Sequence, residues 1–126
     1  MFKYFSPFVI IFLSSIAAAK SFEIHRQMYN FTWDRKDRIS VSESCDPSNR
    51  NSCIALKKLK YASIEKARQE LINGTNPGVI ICRLLKGESV LGYDKEGNQN
   101  SFCKFSDNSM VDSGTLTYYG IMNDRD

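Results

Sequence analysis

The sequence is poor in the residue types that most often carry chemistry. Its 126 residues include one His, one Trp and three Pro, and no C-x-x-C spacing occurs among its four Cys. A single imidazole, His25, gives little support to base catalysis or to zinc binding. The net charge is only +3, whereas nucleic-acid binders carry a strong basic excess. We therefore expect no enzymatic activity, no metal, no cofactor and no nucleic-acid partner.

Beyond the first residues the sequence also lacks a long apolar run. Residues 1–19 contain one charge, Lys3, and an apolar stretch that ends in Ala17-Ala18-Ala19. The stretch is shorter than the roughly 20 residues of a transmembrane helix, and its small terminal residues are typical of a signal-peptidase site. We predict a signal peptide cleaved after Ala19. The exported product, periplasmic or extracellular, would have 107 residues, a charge of +2 and no stable membrane insertion.

The cysteines predict disulfides, because an exported protein folds under oxidising conditions. Four cysteines allow three pairings. We favour Cys45–Cys53, which closes a short turn-rich loop, together with Cys82–Cys103. The second pair closes a longer loop, which the chain-entropy model values at about 3 kcal/mol.

The mature chain divides into two sections, of which the first covers residues 20–75. Its aromatic-rich stretch 22–33 shows no clean periodicity, whereas Ile39–Ser42 alternates apolar and polar residues as a strand does. Ser63–Asn73 predicts a helix, with Ser63 as N-cap and Gly74 just past the end.

The second section, residues 76–122, opens with Asn76-Pro77, an N-cap and a proline at the first helical position. A short buried helix is expected from there to the stop at Gly87. Gly97 lies in a turn-forming loop between two strand-like runs, which predicts a β-hairpin. The remaining elements are strands over 89–93 and 99–105, a turn at Asp107-Asn108-Ser109, a strand or helical turn over 111–119 and a polar tail over 123–126. The predicted fold is a small α+β domain with a helix or two packed on a short antiparallel hairpin sheet.

The spacing of the second section resembles a small exported bacterial domain of unknown function that often carries a hemolysin label. The matching positions are Asn76-Pro77, Cys82, Gly87, Gly97, Cys103 and Asp107-Asn108-Ser109, with Tyr118, Tyr119 and Gly120 as a looser match. Lys86 replaces the first Gly of a Gly-Gly pair, and Asn108 replaces the Gly of D-G-S. The resemblance implies a pairing of Cys82 with Cys103 and structural turns at Pro77, Gly87, Gly97, Asp107, Asn108 and Ser109. It implies no catalytic residues.

Two polar clusters have both a functional and a structural interpretation. Lys57, Lys58 and Lys60 could contact an anionic lipid or cell-wall polymer, or they could simply solvate a face. The loop that starts at Asp94 offers oxygen ligands for calcium, but a hairpin loop needs the same residues for its turn. We favour the structural interpretation of both.

We therefore expect a non-enzymatic binding or structural module of the bacterial envelope or secretome, with an unidentified protein or envelope partner. Trp33, Tyr118 and Tyr119 form the candidate binding surface, with core packing as the alternative. One alternative function is a secreted membrane-damaging effector, suggested only by the hemolysin label. Another is a protease inhibitor that presents the loop between Cys45 and Cys53.

Overall fold

The computed structural model describes residues 18–71 and 74–125. Six strands form a closed antiparallel barrel in the order β1-β2-β3-β6-β5-β4. The strands are β1 Ala18–Ile24, β2 Gln27–Asp34, β3 Ile39–Ser42, β4 Glu88–Tyr93, β5 Gln99–Lys104 and β6 Met110–Asp112. The helices are α1 Ile54–Lys58, α2 Ile64–Arg68, α3 Pro77–Leu84 and α4 Ser113–Asn123, and a 3-10 turn at Leu59–Tyr61 follows α1.

The expectation of a small mixed domain with two disulfides is confirmed, but the expected hairpin sheet with a helix or two is wrong. The aromatic stretch without clean periodicity forms two paired strands, β1 and β2, and β1 then pairs with β4 through Glu23 and Tyr93. This pairing closes the sheet, and closure removes exposed strand edges. The first section of the chain thus supplies β1 to β3 and the second supplies β4 to β6, so one barrel contains strands of both.

The barrel interior is filled by apolar side chains from the strands. Phe31 and Phe102 stack with ring centroids 4.3 Å apart, and Phe22 meets the Phe102 ring edge-on at 4.9 Å. Gly92 makes room for this cluster, because a Cβ there would lie 2.8 Å from the Phe102 ring. We call this cluster the barrel core; its buried members are Phe22, Ile24, Phe31, Val90, Phe102 and Met110.

The helices cover the outer face of the barrel on one side. Successive residues of a strand face opposite sides of a sheet, so Phe102 and Met110 belong to the barrel core while their neighbours Cys103 and Val111 pack under the helices. We call this second cluster the helix-covered core. It contains Ile39, Val41, Leu56, Leu59, Ile81, Leu116 and both disulfides, Cys45–Cys53 and Cys82–Cys103, which form with the favoured pairing.

Helix α3 follows its sequence signals closely. The Asn76 side chain accepts a hydrogen bond from the Gly78 N–H at 2.9 Å, and Pro77 occupies the first turn. At the other end the Gly87 N–H donates to the Cys82 carbonyl, and the Lys86 N–H donates to the Arg83 carbonyl. These two bonds form a Schellman motif, which requires a left-handed residue at Lys86. Its φ of 69° meets that requirement.

Two predictions of where elements end are wrong. The helix expected over Ser63–Asn73 ends at Arg68, although Ser63 is its N-cap as predicted; residues 72–73 lie outside the described residues. The expected polar tail is in part structural. Asn123 ends α4 and donates to the Leu59 and Ala62 carbonyls, while Asp124 accepts the Glu65 N–H at 2.8 Å.

The predicted signal peptide falls mostly on residues 1–17, which lie outside the described residues. The last two leader residues, Ala18 and Ala19, pair with Trp33 and Thr32 at the start of β1. Cleavage after Ala19 stays a prediction.

Candidate functional site

One end of the barrel opens into a cavity of about 350 Å³, which we call the mouth pocket. Residues opposite each other on paired strands share a face of the sheet, and Lys20 lies opposite Phe31 while Trp33 lies opposite Ser40. Because alternate residues face the interior, the row that carries Phe31 continues to Trp33, and the row that carries Phe22 continues to Lys20. The mouth pocket is therefore the interior of the barrel beyond its last phenylalanine layer.

Asp112, the carboxylate that lines the mouth pocket, already accepts two hydrogen bonds. Asn100 Nδ2 donates to Asp112 Oδ2 at 2.7 Å, and the Gly114 N–H donates to Asp112 Oδ1 at 2.6 Å. The second bond makes Asp112 the N-cap of α4. In the same pocket, Thr115 Oγ1 accepts the Ser40 N–H at 3.0 Å. These contacts fix the polar wall of the pocket.

Two cations stand at the rim of the mouth pocket. Lys20 Nζ lies 3.3 Å from Asp94 Oδ2 and 5.3 Å from the centre of the Phe22 ring. Arg38, in the turn between β2 and β3, places its guanidinium 5.4 Å from the centre of the Tyr118 ring. No ion pair in residues 18–71 and 74–125 includes Arg38.

The structure thus brings two of the three predicted surface residues to the same end of the barrel. Trp33 lines the mouth pocket with 40% of its surface exposed, and Tyr118 supports Arg38 from outside the pocket. Sequence reasoning missed Lys20, Arg38 and the polar wall. A signal for Lys20 was available in the sequence. Lys20 lies two residues before Phe22, so in a strand the two side chains face the same side of the sheet.

Tyr119, the third predicted surface residue, has a structural role. Its hydroxyl donates to the Asp37 carbonyl at 2.7 Å and accepts from Arg50 Nη2 at 2.9 Å. Burial raises the pKa of this hydroxyl, although the Arg50 hydrogen bond acts against that shift. The hydroxyl therefore joins the loop between Cys45 and Cys53 to the turn between β2 and β3.

Two of the predicted turn positions meet a backbone requirement, and a third has no room for a side chain. Gly97 and Asn108 adopt φ values of 80° and 68° in their turns. A Cβ on Gly87 would lie 2.2 Å from Cys103 Sγ, so a larger residue there would displace the Cys82–Cys103 disulfide.

The turn between β5 and β6 also caps α1 from a distance. Asp107 Oδ2 accepts the Ile54 N–H at 2.9 Å, and Ser109 Oγ accepts the Ala55 N–H at 2.9 Å. Burial alone would raise the pKa of Asp107, but the hydrogen bonds from Ile54 and Ser109 outweigh it and lower the pKa below its usual value.

Other groups considered for chemistry do not line the mouth pocket, although Asp94 is paired with Lys20 at its rim. His25 is exposed in the turn between β1 and β2. In the loop considered for calcium, Asp94 Oδ1 accepts the Glu96 and Asn98 N–H groups. Within the described part of the chain, no group of three or more His, Cys, Asp or Glu side chains is placed to hold a metal ion.

Comparison of the chain with protein-family models, with curated proteins and with solved structures found no match. The resemblance of the second section to the exported bacterial domain therefore stays a prediction. No helix in the described ranges is long and apolar enough to cross a membrane.

Proposed function

We propose that this protein is an exported, non-enzymatic binding module and that the mouth pocket is its ligand site. The observation that carries the proposal is the convergence of Trp33, Arg38 and Lys20 on one cavity at the end of a closed barrel. Barrel mouths are a common place for small-molecule sites, and cavities of roughly 300–1,000 Å³ are typical of such sites. The two disulfides support folding in an oxidising compartment.

The lining of the pocket favours a small anion that has a flat apolar face. Trp33 offers an exposed ring surface, while the Arg38 guanidinium, which lies over the Tyr118 ring, suits bidentate binding of a carboxylate. Asp112 keeps its negative charge, but its two oxygens already accept hydrogen bonds from Asn100 and Gly114, and in the described part of the chain neither Lys20 nor Arg38 is paired with it. An acidic sugar combines a carboxylate with the apolar face of a ring, and we take it as the ligand class.

Trp33 makes the proposal directly measurable, since it is the one tryptophan of the chain. We expect a saturable change in its fluorescence on titration with a disaccharide that contains glucuronic acid, and a much weaker change with the neutral disaccharide cellobiose. Arg38→Gln should weaken the response about tenfold, the usual effect of losing a charge-assisted hydrogen bond.

Arg35→Gln is the matched control, because Arg35 is exposed in the same turn but does not line the pocket. It should leave the titration unchanged. Equal affinity of the acidic and neutral sugars, or equal loss in the two variants, would contradict the proposal. Absence of any saturable signal at millimolar sugar would leave a purely structural module as the better account.

A further inference from the structure

A second cavity, of about 470 Å³, lies on the helix side of the molecule. Its walls come from α1, the 3-10 turn, the end of α3 and the turn between β5 and β6. Four lysines line it: Lys57, Lys58, Lys60 and Lys86. We call it the lysine pocket.

The side chains that line the lysine pocket carry a net positive charge. No Asp or Glu lines it, and the ion pairs of the described residues involve other cations. The neighbouring acid, Asp107, is bonded to the Ile54 N–H. Lys57 and Lys58 occupy the last turn of α1, where the helix dipole favours positive charge. The same explanation extends to Lys86, because it directly follows the C-cap of α3.

Lys86 is the most informative of the four lysines. Its φ of 69° lies in the left-handed region, where a residue with a Cβ costs about 1–2 kcal/mol more than glycine. Glycine is the usual residue at this position of a Schellman motif. Residues that break a local folding rule often serve function, and the lysine places one positive charge both at the C-terminus of α3 and at the pocket.

The floor of the lysine pocket is apolar. Leu85 and Phe105 are 7% and 4% exposed, and the partly buried Ile54 lies beside them. Tyr61 stands at the edge with its ring 5.1 Å from Lys60 Nζ and 61% of its surface exposed. The pocket thus combines an apolar surface with four lysines.

We propose that the lysine pocket binds a single-chain organic anion, with its head group on the lysines and its hydrocarbon chain along Leu85 and Phe105. An anionic head alone would leave the floor without a partner, and a neutral chain would leave the lysines without one. This site is separate from the mouth pocket, and its ligand does not depend on the function proposed there.

Calorimetric titration with decyl phosphate, below the concentration at which it forms micelles, tests the proposal. We expect saturable binding with one site per chain. Inorganic phosphate and decyl maltoside, which each carry half of the proposed chemistry, should bind at least about tenfold more weakly, a difference of one ordinary hydrogen bond or a few buried methylenes.

Lys86→Gly is the decisive variant, because glycine fits the left-handed backbone and the fold should be at least as stable. We expect it to weaken decyl phosphate binding about fivefold, the effect of one exposed charge at close range. Lys36→Gln removes a charge from a turn outside the pocket and should have no effect. Arg38→Gln, in the mouth pocket, should have none either.

Three results would overturn the proposal. They are equal affinity for decyl phosphate and decyl maltoside, equal effects of Lys86→Gly and Lys36→Gln, and binding to phosphatidylglycerol vesicles without binding to decyl phosphate. The last result would assign the lysines to a membrane surface instead of a pocket ligand.

Discussion

The barrel core is built from strands alone and centres on three phenylalanine rings, whereas the helix-covered core contains all four cysteines and the short helices. Helices of five to eleven residues, as here, are too short to be stable in isolation. They depend on disulfides, on packing and on caps from distant segments, such as Asp107 on α1 and Asp124 on α2. The barrel closes through its own backbone hydrogen bonds. The comparison predicts that packing changes matter most in the barrel, and that cross-links and caps matter most under the helices.

The largest effect is expected from Phe102→Ala in the barrel core. Phe102 is fully buried and contacts both Phe22 and Phe31, so truncation should lower the free energy of unfolding by about 3–5 kcal/mol. Urea denaturation measures the loss. Phe102→Leu is the control and should lose clearly less, since it keeps most of the apolar volume. A loss below about 1 kcal/mol for the alanine variant would show that the core collapses around the gap.

The next effect concerns the disulfides of the helix-covered core. Replacing Cys82 and Cys103 together by alanine should destabilise the protein by about 3 kcal/mol, and replacing Cys45 and Cys53 should cost somewhat less because their loop is shorter. Thermal unfolding measures both losses. In the variant without Cys82 and Cys103, native-state hydrogen exchange should show that the protection of backbone amides falls more in α3 than in β1 and β2. Uniform loss over the whole chain would contradict the division into two cores.

A smaller effect is expected at the cap that joins the β5–β6 turn to α1. The folded pKa of Asp107 is lowered from 3.8, so its contribution is present above the unfolded pKa and is lost as the pH falls through the folded pKa. Asp107 accepts hydrogen bonds with both carboxylate oxygens, and Asn keeps only one acceptor oxygen. Asp107→Asn should therefore remove about 1–2 kcal/mol near neutral pH, the value of a lost hydrogen bond to a charged group, and should flatten the loss of stability in acid. Urea titrations from pH 7 to about pH 2, across the usual carboxyl range, measure it.

Glu88→Gln, which removes an exposed carboxyl in β4, serves as control for Asp107→Asn. It should leave the acid dependence nearly unchanged. If both variants flatten it equally, the acid sensitivity of the protein comes from its total charge and not from this cap.

Local signals were sufficient where one segment determines its own structure. Asn76, Pro77 and the stop before Gly87 predicted α3, because N-cap, first-turn and C-terminal preferences act within a few residues. Gly97 likewise marked the hairpin of β4 and β5. The helix from Ser63 was predicted too long because its apolar spacing continues to Leu71, a side chain that the structure leaves 39% exposed.

Features made by distant segments could not be predicted in this way. The mouth pocket needs Trp33 from β2 and Asn100 from β5, and the lysine pocket needs Lys86 beside Lys57. These pairs meet only because the barrel closes and the helices fold over it. Closure in turn depends on the β1–β2 hairpin, whose turn residues His25 and Arg26 are not the ones that usually indicate a hairpin.

The smallest effect is expected in that turn, and it has the opposite sign. His25 and Arg26 adopt φ values of 50° and 66°, the left-handed region where Asn-Gly is preferred. His25→Asn together with Arg26→Gly should therefore raise the free energy of unfolding by about 1 kcal/mol, within the range of stabilising turn substitutions. Met28→Gly is the control, because a glycine inside the neighbouring strand should lower stability by about 0.5–1 kcal/mol. A double variant no more stable than the natural protein would show that barrel closure, and not the turn sequence, sets the backbone there.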